Sequence, residues 1–297
     1  FLDFKDDVAE AARSGKRVLV YFGQDGCPYC KALMQGSFGP GPTADTVQRH
    51  FVAMALNIWG DREVQWLDGR RTTEKELARS LGVQFTPTLL FLHADGRIAL
   101  RLNGYQPPER LSQILAYLVG RHDSTQSLAE YLQAAAATPG APAPSPQRYL
   151  RPLSALPRQG GGKPLAVMFE AAGCKPCAEL HHEALARPTL RQLLSQLDLV
   201  RVLPGPAVPL VTPSGQNSDT RLWARDLRIT LYPTVVFFDA RGAEVFRFDG
   251  YLRPFHVESA FDYVASGAYL KEPQFQRYVQ ARADQLRAAG KPVDLWR

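Results

Sequence analysis

The chain repeats itself, and each repeat carries one Cys-x-x-Cys motif. Cys27 and Cys30 recur 147 residues later as Cys174 and Cys177, and these four are all the cysteines of the 297-residue sequence. That length suffices for two domains of about 150 residues, each burying a core of its own. The repeat therefore predicts two tandem copies of one fold, each containing a cysteine pair.

The similarity between the copies extends well beyond the cysteines. Three further blocks keep the same offset within one residue: 85–91 with 231–237, 103–105 with 249–251, and 131–133 with 278–280. The stretch from Ala134 to Pro146 is rich in Ala, Pro and Gly, a composition typical of an extended connector. We predict a first domain over 1–135, a linker over 136–149 and a second domain over 150–297 that includes a C-terminal helical extension.

Secondary-structure signals place each cysteine pair between a strand and a helix. Val18–Phe22 and Leu165–Phe169 are continuous apolar runs, typical of strands buried on both sheet faces. Each run ends just before a cysteine pair, and helix-forming residues follow the pair. Thr88–Leu92 and Thr234–Phe238 are predicted to form further strands. Each is followed by a turn and a second strand, which together predict a β-hairpin. The first cysteine of each pair is thus expected at a helix N-terminus.

This arrangement suits thiol–disulfide exchange. The thiolate is the reactive form of cysteine, and the positive end of the helix dipole favours it. Cys27 and Cys174 are therefore the candidate nucleophiles, while Cys30 and Cys177 are placed to attack a mixed disulfide and release the product.

Other interpretations of the motifs are weaker. Zinc ribbons separate their cysteine pairs by about 15 to 20 residues, far less than here. His181 and His182 follow Cys177, and a copper or zinc site is a second interpretation of these residues; we favour solvated histidines. Lys31 and Ala178 follow the pairs where haem attachment needs His. We predict no metal and no cofactor. Because the 35 Lys and Arg are scattered among 29 acidic residues, we also predict no nucleic-acid partner.

The order of strand, Cys-x-x-Cys helix, strand, helix, hairpin and closing helix resembles the thioredoxin superfamily. The resemblance implies an α/β fold class with two tandem thioredoxin-fold domains, each a mixed central sheet with flanking helices. Within the superfamily the chain is similar to SoxW-like thioredoxins of exported bacterial sulfur and redox pathways. The residues that carry this likeness are Phe22–Cys30, Trp66–Gly69, Thr73–Ala78 and the late helix through Tyr131.

The resemblance also assigns roles to the residues before each hairpin. In this family a cis-proline lies against the cysteine pair, and cis bonds are essentially confined to X-Pro. Pro87 and Pro233 match that position, and Thr86 and Tyr232 precede them. The resemblance implies that these four residues bind substrate.

Two other features of the repeat bear on the site. Thioredoxin has a buried carboxylate, acting as a proton relay, six residues before its first cysteine; Tyr21 and Met168 stand there in this chain, so proton handling must differ. Tyr105 and Tyr251 each follow a glycine after the hairpin, and packing against the final helix is the role we favour over contact with a partner.

These observations predict a thiol–disulfide oxidoreductase that acts on protein disulfides. Family likeness favours a periplasmic reductase fed by a membrane electron donor. The chain starts at Phe1 without Met or an apolar signal segment, so either it has been trimmed or a targeting peptide has been removed. A disulfide isomerase or oxidase is an alternative function that the sequence leaves open. A partner-binding module with a redox-inactive second domain is another alternative, because the sequence of Leu203–Gln216 differs from the matching segment of the first copy. Oligomeric state and natural substrate are not predicted.

Overall fold

A computed structural model of the protein describes residues 1–136, 147–250 and 252–295. Its contacts divide the chain into two compact units, Phe1–Tyr131 and Leu132–Arg297. The predicted linker lies mostly outside the described residues, as does Tyr251; Ala134 to Ala136, which we expected to begin the connector, still belong to a helix. Within the described ranges, no helix is long and apolar enough to cross a membrane.

The first unit alternates strands and helices. Its strands are β1 (Leu2–Asp3), β2 (Arg17–Gly23), β3 (Phe51–Asn57), β4 (Glu63–Gln65), β5 (Arg71–Thr73), β6 (Thr88–Leu92) and β7 (Ile98–Asn103). Its helices are α1 (Phe4–Arg13), α2 (Pro28–Ala32), α3 (Pro42–His50), α4 (Glu74–Ser80) and α5 (Pro108–Val119), followed by α6 (Leu128–Ala136).

The main sheet of the first unit has the strand order β3-β2-β6-β7. Strand β2 runs parallel to β3 and antiparallel to β6, so Tyr21 lies between Ala55 and Leu89. A central strand has a partner on both edges and helices on both faces, which explains why the apolar run of β2 is almost wholly buried. Strands β1, β4 and β5 form a separate small sheet.

The second unit repeats this plan. Its strands are β8 (Leu165–Phe169), β9 (Asp198–Val202), β10 (Pro209–Val211), β11 (Asn217–Asp219), β12 (Thr234–Phe238) and β13 (Glu244–Asp249). Its helices are α7 (Lys175–Glu179), α8 (Pro188–Leu193), α9 (Thr220–Asp226), α10 (Pro254–Ala265) and α11 (Phe275–Ala288). The main sheet has the order β13-β12-β8-β9, with β8 parallel to β9 and antiparallel to β12.

These two mixed sheets with flanking helices confirm the predicted fold class. The predicted hairpins are present as β6–β7 and β12–β13. The divergent stretch Leu203–Gln216 contains β10, which pairs with β11 in an antiparallel hairpin. Gly215 lies in the turn between these two strands and adopts the positive φ that the turn needs. A short antiparallel pair precedes α4 in the first unit and α9 in the second.

Aromatic side chains fill both cores. In the first unit Phe51 and Phe91 meet edge to face, and in the second Phe237 contacts the rings of Phe246 and Phe261. Burying one such side chain contributes roughly 1.5 to 3 kcal/mol. The sheet that carries each cysteine loop therefore rests on a rigid, densely packed layer.

Candidate functional site

Each cysteine pair forms a disulfide at the start of a helix. The Cα atoms are 5.2 Å apart in both pairs, within the usual range for a disulfide. Cys27 is the N-cap of α2 and Cys174 the N-cap of α7, as the sequence predicts. Both helices then pass into a π-helical turn, Leu33–Ser37 and Leu180–Leu185, where we expected regular helix. Such turns are frequent at functional sites.

The first centre, formed by Cys27 and Cys30, directs two hydrogen-bond donors at the sulfur of Cys27. The backbone N–H of Cys30 donates to it at 3.1 Å, and the hydroxyl of Thr86 donates at 3.3 Å. Thr86 is joined to Pro87 by a cis peptide bond and is almost fully buried. Both donors favour negative charge on this sulfur once the disulfide is reduced.

Tyrosine side chains surround the first centre. Tyr29 and Tyr105 lie with ring centroids 6.0 Å apart, and Tyr21 and Tyr105 pack against the cluster that Tyr29 forms with the two cysteines. Tyr105 thus packs at the first centre, and its predicted packing against the final helix stays a prediction. Burial raises the pKa of Tyr21. Its ring covers Gly23, where an added Cβ would collide with the phenol.

Trp59 approaches the same loop, which the sequence did not reveal. Its indole N–H donates to the side-chain oxygen of Gln24 at 2.5 Å, three residues before Cys27. Its backbone N–H donates to Asn57 at 3.0 Å. A half-buried aromatic residue is thereby fixed beside the loop of the first centre.

The second centre, formed by Cys174 and Cys177, keeps the helix start and changes its surroundings. The backbone N–H of Cys177 donates to the sulfur of Cys174 at 3.2 Å. Cys177 is buried and Cys174 half-buried. The Tyr232–Pro233 bond is cis, and the Tyr232 side chain packs against the hydrophobic core of the second unit.

A cluster of four polar residues, here the Glu170 cluster, lies in the second unit. The carboxylate of Glu170, which follows β8, is fully buried; one oxygen lies 2.7 Å from Nε2 of His181 and the other 3.3 Å from a guanidinium nitrogen of Arg201. Nδ1 of His181 lies 2.8 Å from the hydroxyl of Tyr149. Our expectation of solvated histidines is therefore wrong for His181, whose side chain is 11% exposed, and holds for His182.

The first copy holds uncharged residues at the matching positions. Gly23 and Met34 stand 147 residues before Glu170 and His181. Arg201 faces Met168 across parallel strands, just as Ala55 faces Tyr21. The sequence signal for the Glu170 cluster is therefore the difference between the two copies at these matching positions.

A sheet of this strand order, with a cysteine pair at that helix start and a cis-proline loop before the hairpin, is the thioredoxin fold, and the chain contains it twice. The family described as Thioredoxin-like domain matches residues 4–119 and 158–265, more than half of the chain. The chain belongs to this family. Comparison with curated protein sequences gives no significant match.

Solved structures with similar folds match about one domain of the chain. A thioredoxin-fold protein from Helicobacter pylori is 15% identical with a TM-score of 0.40, over 45% of this chain and 90% of its own. A thioredoxin from Thermus thermophilus is 26% identical with a TM-score of 0.32, over 40% and 85%. A putative disulphide-isomerase from Bacteroides thetaiotaomicron is 28% identical with a TM-score of 0.32, over 39% and 88%.

Proposed function

We propose that the protein is a thiol–disulfide oxidoreductase that acts on protein disulfides at two centres. The observation that carries the proposal is the setting of Cys27 and Cys174. Each caps a helix, and each sulfur accepts a backbone N–H from the second cysteine of its pair. This setting favours the attacking thiolate, and the second cysteine is held one helical turn away, in reach of the same sulfur.

Exchange at each centre follows from this geometry. In the reducing direction the Cys27 thiolate attacks a substrate disulfide, forms a mixed disulfide and releases one substrate thiolate. Cys30 then attacks Cys27, which forms the disulfide seen in the structure and releases the second substrate thiolate. Thr86, which borders the Cys27 sulfur, and Pro87, which a cis peptide bond joins to Thr86, are placed to hold the substrate chain during the exchange.

The direction of exchange and the compartment belong to the same proposal. Likeness to SoxW-like thioredoxins supports a periplasmic reductase that receives electrons from a membrane donor. An oxidase or isomerase is the second candidate. Titration of each centre against glutathione, in variants that keep only one pair, separates them: a strongly negative reduction potential, such as about −270 mV, favours a reductase, and a value of about −120 mV favours an oxidant.

Turnover of single-centre variants tests whether both centres act. Insulin reduction is compared in Cys27→Ala/Cys30→Ala, Cys174→Ala/Cys177→Ala and the wild type. We expect each double variant to keep part of the wild-type rate. Unchanged turnover after loss of the second pair would overturn the two-centre proposal and support a partner-binding second domain.

A further inference from the structure

We propose that Tyr105 makes the first centre selective for substrates that have an aromatic residue next to the reacting cysteine. The inference rests on the proposed function and names the class of substrate that this centre prefers. It is carried by the position of the Tyr105 ring at the cysteine pair, by the hydrogen bonds that fix the backbone on both sides of the ring, and by the different residues of the second copy.

The Tyr105 ring borders the first centre. It packs against the buried cluster that Tyr29 forms with Cys27 and Cys30, and its centroid lies 6.0 Å from that of the Tyr29 ring. Tyr29 is 5% exposed, whereas Tyr105 is half-buried. Because a mixed disulfide ties the substrate cysteine to Cys27, the residues that flank this cysteine, about 3.8 Å away along the chain, pass close to the exposed part of the Tyr105 ring.

Two hydrogen bonds fix the backbone on either side of Tyr105. The N–H of Gly104 donates to the carbonyl of Pro87 at 2.9 Å, which ties the segment to the cis-proline loop. The hydroxyl of Ser37 donates to the carbonyl of Gln106 at 2.7 Å, and both residues are 1% exposed. Since Ser37 ends the π-helical turn that continues the cysteine helix, Tyr105 is held between the two segments that form the first centre. A side chain on a backbone fixed in this way loses little conformational freedom when substrate binds.

The second copy has different residues at the positions that support this ring. Pro176 matches Tyr29 and provides no aromatic ring. Ala184 matches Ser37 and has no hydroxyl to donate. Tyr251, the match to the tyrosine itself, lies outside the described residues. The second centre therefore lacks both the stacked partner ring and the hydroxyl donor.

The surface beside each cysteine pair differs in the same sense. Met34 lies four residues after Cys30 and is 49% exposed. At the second centre Lys175 directly follows Cys174, and its side chain is 87% exposed. Apolar surface gains free energy when it leaves water. Apolar substrate residues can thus be buried against the first centre and gain less beside the lysine of the second.

The size of the preference follows from contact between two rings. Aromatic pairs with ring centroids about 4.5 to 7 Å apart gain free energy beyond that of apolar burial. For a substrate ring against Tyr105, this gain corresponds to a preference of about 2- to 12-fold over an aliphatic side chain. A larger aromatic preference would need contacts with further rings.

The test uses short peptides, Gly-X-Cys-Gly-Gly, in which X is phenylalanine or leucine and the cysteine is joined in a disulfide to thionitrobenzoate. The thiolate of reduced Cys27 attacks the peptide sulfur and forms a mixed disulfide with it. The bond to thionitrobenzoate breaks, and this coloured thiolate leaves with the electron pair. The ratio of the rate constants for the two peptides cancels the intrinsic reactivity of the thiolate.

Rate constants are measured with two full-length chains. Cys174→Ala/Cys177→Ala retains only the first centre, and Cys27→Ala/Cys30→Ala retains only the second. We expect the phenylalanine peptide to react about fivefold faster than the leucine peptide at the first centre, and the two rates to agree within about twofold at the second. A ratio below about twofold at the first centre overturns the proposal.

Two substitutions at Tyr105 then assign the preference to its ring. Tyr105→Leu, in the chain that retains only the first centre, should bring the ratio within about twofold. Tyr105→Phe is the matched control, which keeps the ring and should preserve the ratio. A ratio that survives Tyr105→Leu, or that is lost in Tyr105→Phe, overturns the proposal.

Two further outcomes have a fixed meaning. Should Tyr105→Leu fail to fold, the two single-centre chains decide: a higher ratio at the first centre supports the proposal, and equal ratios at both centres overturn it. Release of thionitrobenzoate from both peptides no faster than with dithiothreitol at equal thiol concentration would instead overturn the proposed function of the first centre.

Discussion

Replacing Thr86 with valine removes one of the two hydrogen bonds to the sulfur of Cys27 without changing the shape of the side chain. A hydrogen bond to a charged group is worth about 1.5 to 3 kcal/mol. The distance of 3.3 Å argues for the lower end. About 1.4 kcal/mol corresponds to one pH unit in the ionisation of the thiol and to about 30 mV in the reduction potential. Because the lost bond stabilises the reduced, thiolate form, the potential should become more negative.

The assay is alkylation of the reduced protein by iodoacetamide at pH 7 in Cys174→Ala/Cys177→Ala, with and without Thr86→Val. We expect alkylation of Cys27 to slow about tenfold and the pH midpoint of its ionisation to rise by about one unit. In Cys27→Ala/Cys30→Ala the same substitution should leave Cys174 unchanged, which controls for general effects. An unaltered or lower midpoint for Cys27 would refute the assignment of Thr86 as a donor to the thiolate.

Three further substitutions test the fold. Burial lowers the pKa of His256 to about 4, below the unfolded value near 6.5; the neutral form therefore favours the folded state above pH 6.5, and this stability is lost as the pH falls towards 4. We expect a loss of about 3 kcal/mol between pH 7 and pH 4 that His256→Leu removes, measured by urea unfolding. Thr73→Ala deletes the N-cap of α4, whose reciprocal partner is Glu76, and should cost about 1 kcal/mol in the same assay. Phe237→Ala opens the fully buried core of the second unit and should cost about 3 to 5 kcal/mol, leaving unfolding of the first unit in place; a smaller loss would mean that the site collapses around the gap.

Local signals in the sequence were enough to define the strands that carry the site. The structure places β6, β8 and β12 at the predicted bounds, because unbroken apolar runs between turn residues admit few other structures. The cysteine pairs lie at helix starts as predicted, because each follows such an apolar run and precedes helix-forming residues. The π-helical turns were not predictable, since a shift of one residue in hydrogen bonding leaves no mark on helix propensity.

The surroundings of the second centre depend on contacts between residues distant in sequence. Glu170 pairs with residues 11 and 31 positions further on, and a Glu after an apolar strand is ordinarily solvent-exposed. His181 alone looked like a surface residue because its partner Glu170 lies on another element. For Thr86 the family resemblance implied a position beside the cysteines. No local sequence pattern predicted that its hydroxyl would donate to the sulfur of Cys27.

The collision between Tyr21 and any side chain at position 23 has an evolutionary consequence. Tyr21 and Gly23 lie on the same face of one strand, so the phenol occupies the space that a glutamate at 23 would need. Met168 and Glu170 form the alternative pair in the second copy. Replacing Gly23 while Tyr21 is present leads through an unfavourable intermediate, whereas replacing Tyr21 first removes the collision, so the order of the two changes matters. Gene conversion between the copies is therefore disfavoured where it would combine the tyrosine of one copy with the glutamate of the other.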